Sequence, residues 1–269
     1  AALAQVRGHL LEHYVEYWAL RLRIDTASAA EIERFLKVSA GTAVGDRMRV
    51  DWLKQLGKTG DWARFEQVAQ GFDSDDSEVA CFRTTLAVRN GAKEVQPAPR
   101  GIWEDRLTEA CADAFASLVR VKQLSADDAL WRFRTTADGG TLLAASRVAD
   151  ALGDSVAPQP DALQRAHSSP EALLRGGAFA SRPAREAALY ALTRLARSDV
   201  GKARAAWAPI RSKFGDDEQR YAAGQLAYAS ARRLDTAEAL EWAKRAQDGE
   251  QFTRLGDWQA AWIARAALR

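Results

Sequence analysis

Thr26-Ala27-Ser28-Ala29-Ala30-Glu31-Ile32-Glu33-Arg34-Phe35-Leu36-Lys37-Val38-Ser39-Ala40-Gly41 contains the start, the buried face and the stop of one short helix. Thr26 or Ser28 can cap it, and Glu31 stands three residues after Ser28 as in a capping box. Ile32, Phe35 and Leu36 recur at helical spacing, and Gly41 can end the element. Upstream, Leu3, Val6, Leu10, Tyr14, Trp18 and Leu22 recur every three or four residues, which predicts one buried stripe on a helix from Leu3 to Arg23. Downstream, Val44 to Leu56 is a third helix, with Met48, Trp52 and Leu56 four apart and Gly57 and Gly60 as its stop; Asp61 then caps Trp62 to Ala69.

The same pattern continues. Helical stretches are expected near 76–90, 101–121, 125–135, 140–152, 159–166, 170–178, 183–197, 199–211, 215–233, 235–247 and 257–268. Ala and Leu dominate, and Val/Ile/Thr runs with a period of two are hard to find, so strands have little to be made from. Only 90–101, with Pro97 and Pro99, and 153–160, with Pro158 and Pro160, are loose connections. Gly60-Asp61-Trp62-Ala63 is echoed by Gly256-Asp257-Trp258-Gln259, each read as a helix stop, an Asp cap and an aromatic packing back on the preceding helix. The expected fold is all-α: an α-superhelix or solenoid of short antiparallel helical hairpins, TPR-like with irregular repeats, forming one continuous domain over residues 1–269.

Lys and Arg number 38 against 36 Asp and Glu, so no net field directs the chain to nucleic acid or an anionic membrane. Charges interrupt every apolar run before it reaches the roughly 18 to 20 residues of a membrane span. No basic and apolar leader opens the chain, as in a mature secreted domain whose signal peptide has been removed. The nine Trp lie at helical spacing beside Leu and Ala. They read as plugs between helices, with a sugar-stacking platform as the alternative.

His9-Leu10-Leu11-Glu12-His13 matches the H-x-x-E-H zinc-peptidase pattern, in which two His on one helix face hold the metal and the Glu activates water. A third ligand is needed, and only His167, in a loop far along the chain, offers itself; short patterns of this kind arise by chance, and polar residues on a wet helix face are the better account of the match. His9, Glu12 and His13 are therefore treated as a decoy, and no metal or cofactor is expected. Cys81 and Cys111 are the only cysteines. They read as small core residues in a reducing compartment and as one disulfide in an oxidising one. No Gly-rich phosphate loop, G-x-S-x-G elbow or C-x-x-C pair occurs.

One ordered run carries a family resemblance. Tyr14-Val15-Glu16-Tyr17-Trp18-Ala19-Leu20-Arg21-Leu22-Arg23-Ile24, Ile32-Glu33-Arg34-Phe35-Leu36, Asp46-Arg47-Met48-Arg49, Asp51-Trp52-Leu53-Lys54-Gln55-Leu56-Gly57 and Gly60-Asp61-Trp62 together resemble the N-terminal superhelical, U-shaped domain of soluble lytic murein transglycosylases. Glu78-Val79-Ala80-Cys81-Phe82 and Ala110-Cys111-Ala112-Asp113-Ala114-Phe115 look like that family's two-cysteine segment, and the resemblance implies a structural disulfide between Cys81 and Cys111 in a periplasmic protein. It also implies a parent enzyme that cleaves the β-1,4 bond between N-acetylmuramic acid and N-acetylglucosamine without water, leaving a 1,6-anhydro sugar. That chemistry belongs to a C-terminal lysozyme-like domain marked by a Glu-Ser pair, a Gly-Leu-Met-Gln stretch and an Ala-Tyr-Asn triplet.

None of those marks occurs here: the sole Met is Met48, the sole Asn is Asn90, and the nearest approach to Glu-Ser is Arg185-Glu186-Ala187, where Glu186 reads as an ordinary helix residue. No catalytic residue is therefore assigned. The expected role is a scaffold and peptidoglycan-positioning surface, with glycan strands and the absent catalytic domain as partners and no nucleic acid or membrane span. The alternative is a TPR-like protein-interaction scaffold unrelated to the cell wall.

Overall fold

The computed structural model describes residues 8–9, 11–104, 107–248 and 251–269. Leu3, Val6 and Leu10 of the expected first stripe lie outside the described residues. The chain divides into two compact units, Ala1–Ile102 and Trp103–Arg269. Its described residues form fifteen α-helices, two 3-10 turns and one minimal hairpin of strands β1 (Gln247–Asp248) and β2 (Gln251–Phe252), paired antiparallel with Gln247 opposite Phe252. The fold is thus all-α as expected, except that the helix expected over 235–247 stops at Arg245 and Gln247 enters the hairpin.

The first unit holds α1 (Glu12–Arg21), α2 (Ala29–Val38), α3 (Ala43–Thr59), α4 (Trp62–Ala69) and α5 (Ser77–Arg89), with α3 packed against the other four. The capping signals hold: Ser28 and Glu31 form the capping box of α2, and the Asp61 side chain accepts from the Arg64 N–H at the start of α4. The stripe expected on α1 is corrected. Tyr14, Trp18 and Leu22 are exposed, and Tyr17 and Leu20 are buried instead. Tyr17 is tied there by its hydroxyl, which donates to Asp51 of α3 at 2.8 Å.

Gly57 is corrected as well. It lies inside α3, where a Cβ would come within 2.5 Å of the Phe82 ring of α5, so the missing side chain lets the two helices approach. The stop is Gly60, in the left-handed region at φ +75° that glycine adopts without strain.

The second unit holds α6 (Glu109–Arg120), α7 (Ala126–Gly139), α8 (Leu142–Ala149), α9 (Pro160–Ser168), α10 (Pro170–Gly176), α11 (Arg182–Ser198), α12 (Val200–Trp207), α13 (Asp216–Arg232), α14 (Thr236–Arg245) and α15 (Asp257–Ala267). Every helix packs on the next in sequence, and alternate pairs such as α9 with α11, α11 with α13 and α13 with α15 also touch. This is the neighbour-by-neighbour contact pattern of stacked helical hairpins. The long-range contact of α7 on α11 departs from it.

That contact is ionic at its centre. Glu186 of α11, fully buried, accepts from Arg134 of α7 and pairs with Arg182, while the equally buried Glu218 of α13 pairs with Arg182 and Arg185. Glu186 is therefore no ordinary helix residue. Burial disfavours the charge of Arg134, but the hydrogen bonds and charge of Glu186 outweigh it and raise the guanidinium pKa. Its guanidinium also lies 4.5 Å from the ring centroid of Tyr221, whose phenol is pushed up to about 12, chiefly by burial.

The helix echo at 256–259 differs from its first copy. Gly256 is the N-cap of α15 rather than a stop, Asp257 is already helical, and Gln259 Oε1 accepts from the Gly256 N–H. Among the described residues, no helix is long and apolar enough to cross a membrane.

Candidate ligand cleft

Helical periodicity in the second unit turns polar and aromatic residues from four helices into one cleft. On α7, Trp131, Thr135 and Asp138 fall at intervals of four and three and share a face. Thr193 and Arg197 do the same on α11, as do Gln225, Tyr228 and Arg232 on α13. The first turn of α15 adds Trp258 and Gln259, and Trp103 completes the lining from the segment before α6.

The cleft has two lobes. The larger, about 290 Å³, is lined by the indoles of Trp103, Trp131 and Trp258. The smaller, about 160 Å³, has Thr193, Gln225 and Ala229 in its lining together with Arg197, Arg232 and Arg233. Asp138, Arg197, Tyr228 and Arg232 line both lobes and so join them.

The indoles are braced from behind. Trp103 packs edge-on against Phe115 at 5.6 Å and tilts against Trp131 at 5.8 Å. The guanidinium of Arg254 sits 4.3 Å from the Trp131 ring centroid and is itself tied to Asp128 at 3.1 Å. Trp258 meets Trp262 edge-to-face at 6.1 Å. Trp103 and Trp258 remain 37% and 53% exposed, so these two, rather than Trp131, present open faces.

The polar lining is equally fixed. Arg132, almost fully buried, donates to the Glu104 carbonyl at 2.6 Å and to Thr135 Oγ1 at 3.2 Å. The Gln259 amide donates to Gln225 Oε1 at 3.1 Å, joining α15 to α13. Burial raises the Tyr228 phenol pKa and the charge of Asp138 adds to the rise, while Arg232 and Arg197 oppose it. Asp138 is the one carboxylate among the lining residues. Stacking faces, amides and guanidiniums around a single carboxylate form a set suited to binding.

Gly224 connects this cleft to the helix stack. A Cβ there would meet Thr253 Cγ2 at 2.8 Å and Leu255 Cδ2 at 3.1 Å. A bare position on α13 therefore admits the 253–255 segment, which carries Arg254 to Trp131 and leads into Gly256 and Trp258.

The residues singled out from sequence lie elsewhere. His9 precedes α1, and its Nδ1 accepts from the Leu11 N–H at 3.1 Å; Glu12 begins the helix and accepts from the Gly8 N–H at 2.7 Å. His9 and His13 consequently do not share one helix, as the zinc pattern requires. Among the described residues, no three His, Cys, Asp or Glu side chains are grouped to hold a metal. His167 is corrected from a loop to the last turn of α9, where its Nδ1 lies 3.0 Å from the Tyr190 hydroxyl. Cys81 and Cys111 are both disulfide-bonded, and no free cysteine is present among the described residues.

Trp103, Trp131 and Trp258, read from sequence as plugs between helices, thus line one cleft. Sequence reasoning did not gather them, because they are separated by up to 155 residues and share no local motif.

No family model matches this chain, and no curated protein matches it. Among solved structures, the X-ray structure of an inactive mutant of the lytic transglycosylase Slt from Pseudomonas aeruginosa is similar, at 23% identity and a TM-score of 0.49. The similarity covers 99% of this chain and 43% of that one, so the chain spans less than half of that protein's length.

Proposed function

We propose that this chain is a non-catalytic scaffold region of a periplasmic peptidoglycan lytic transglycosylase, holding glycan strands for a catalytic domain that it does not itself contain. The observation that carries this reading is the cleft of the second unit: two open indole faces beside exposed guanidiniums. Peptidoglycan is a polymer of N-acetylated sugars bearing peptide carboxylates. Its ring faces can stack on Trp103 and Trp258, and its carboxylates can accept charge-assisted hydrogen bonds from Arg197 and Arg232. The ordered resemblance of residues 14–62 to the superhelical domain supports the same family. Two cysteines in disulfide linkage suit an oxidising compartment and weigh against a cytosolic interaction scaffold.

Co-sedimentation of the isolated chain with purified sacculi tests the proposal. Expected are retention of the chain in the pellet and an unchanged muropeptide profile. A chain left wholly in the supernatant would remove the wall-binding role, and altered muropeptides would remove the non-catalytic one.

A further inference from the structure

Four of the eleven large apolar side chains that are exposed among the described residues lie on one helix of the first unit. Leu11, Tyr14, Trp18 and Leu22 are 53%, 50%, 49% and 85% exposed, and they recur at intervals of three, four and four along α1 and its two caps. They form one stripe, on the side not taken by the buried Tyr17 and Leu20. A stripe of this period is what a helix buries against a partner, and a contiguous exposed one marks an interaction surface.

The stripe is held rigidly. Trp18 packs edge-on against Tyr17 at 5.1 Å, and the Arg21 guanidinium lies 5.0 Å from its ring centroid. Arg21 is tied to Asp51 of α3 at 3.3 Å, and the Tyr17 hydroxyl donates to the same carboxylate. An aromatic anchor fixed before association loses little freedom on binding.

Charge beside the stripe selects the occupant. Glu12, Glu16 and, in the turn that follows the helix, Arg23 succeed one another at intervals of four and seven along one flank, which is therefore acidic at its N-terminal end and basic at its C-terminal end. Two copies of α1 laid antiparallel about a two-fold axis bring this flank against itself in reverse, acid on base, with the helix dipoles opposed as well. Parallel pairing would set like charge on like. Arg23 pairs with Glu31 of its own chain at 3.0 Å but stays 47% exposed, so it can still meet a second carboxylate. From the stripe and its flank we infer that α1 is a self-association surface, covered by the α1 stripe of a second copy in antiparallel orientation with Trp18 near the two-fold axis.

Four side chains fall short of the roughly 800 Å² that each partner brings to a standard interface, so the dimer is expected to be weak and concentration-dependent. Sedimentation equilibrium of the full chain over about 1–500 µM tests this, with monomer expected at the low end and a growing share of dimer at the high end. Trp18→Ala and Leu22→Asp, both at exposed positions, should each weaken the dimer by at least about tenfold with an unchanged far-UV circular dichroism spectrum. Charge reversal tests the orientation. Glu16→Lys and Arg23→Glu should each weaken association, and the doubly reversed E16K/R23E chain, in which acid again meets base, should recover it. A monomer at every concentration, a dimer untouched by Trp18→Ala and Leu22→Asp, or an E16K/R23E chain no better than the single reversals would overturn the inference.

Discussion

Glu186 of α11 accepts from both Nε and Nη2 of Arg134 on α7, at 2.8 and 2.7 Å, and its carboxylate has no exposure to solvent. This bidentate pair ties together two helices separated by the whole of α8, α9 and α10 in sequence. Replacing both residues by apolar ones could be near neutral, but removing one leaves an uncompensated buried charge. Glu186→Ala should therefore destabilise the chain by about 3–5 kcal/mol, read from urea unfolding. A loss below about 1 kcal/mol would show that the pair is solvated in solution.

Gly57→Ala sets two effects against each other. An alanine in mid-helix gains about 1 kcal/mol in helix propensity over glycine. Its Cβ, however, meets the Phe82 ring at 2.5 Å, and overpacking of this kind costs about 1–3 kcal/mol. A net loss is expected on thermal unfolding, with partial recovery when Phe82→Leu is added. An unchanged or raised Tm in the single variant would mean that α3 and α5 separate freely.

Gly224→Ala should act on binding as well as stability. The new methyl displaces Thr253 and Leu255, and with them the segment that leads to Arg254 and Trp258. Sedimentation with sacculi should fall in this variant while remaining intact in Gly57→Ala, which alters the other unit. Equal retention of both would show that the cleft does not depend on this close approach.

Burial, and then the charge of Arg194, hold the His167 imidazole below its ordinary value of 6.5. The unfolded chain then binds the proton more readily than the folded one. Stability from this group is full above pH 6.5 and declines as the pH falls below it, levelling off under the folded pKa. Urea midpoints at about pH 5 and about pH 7.5 should differ less in His167→Gln than in the unsubstituted chain. An identical difference in both would assign the acid sensitivity to other groups.

Reduction of the disulfide has a definite expected size. A cross-link between cysteines some thirty residues apart lowers the entropy of the unfolded ensemble, worth about 3–4 kcal/mol in the chain-entropy account. C81S/C111S should unfold at correspondingly lower urea, and a thiol reductant should then have no further effect. Continued sensitivity of that variant to reductant would point to a different cause.

What the sequence revealed divides by range. Ser28 with Glu31, Asp61 and Gly60 were legible because a cap or a left-handed stop is settled within four residues. The buried face of α1 was not. Tyr14, Trp18 and Leu22 make as good a periodic stripe as Tyr17 and Leu20, and only α3, through Asp51, selects between them. Gly57 and Glu186 were misread for the same reason: each has a partner from another helix, Phe82 and Arg134, that no local pattern announces. The cleft is the extreme case, since its indoles were read one by one as packing residues.

The cleft draws its lining from residue 103 to residue 259, so unfolding of α7, α11, α13 or α15 would release whatever it holds. Folding and ligand capture are consequently one linked equilibrium. A ligand present at a hundredfold excess over its Kd would protect the whole unit by about 2.7 kcal/mol. On an intact cell wall, where sugar chains are dense and effectively immobile, the polymer would then act as the unit's own chaperone, lengthening its life against proteases for as long as it stays attached.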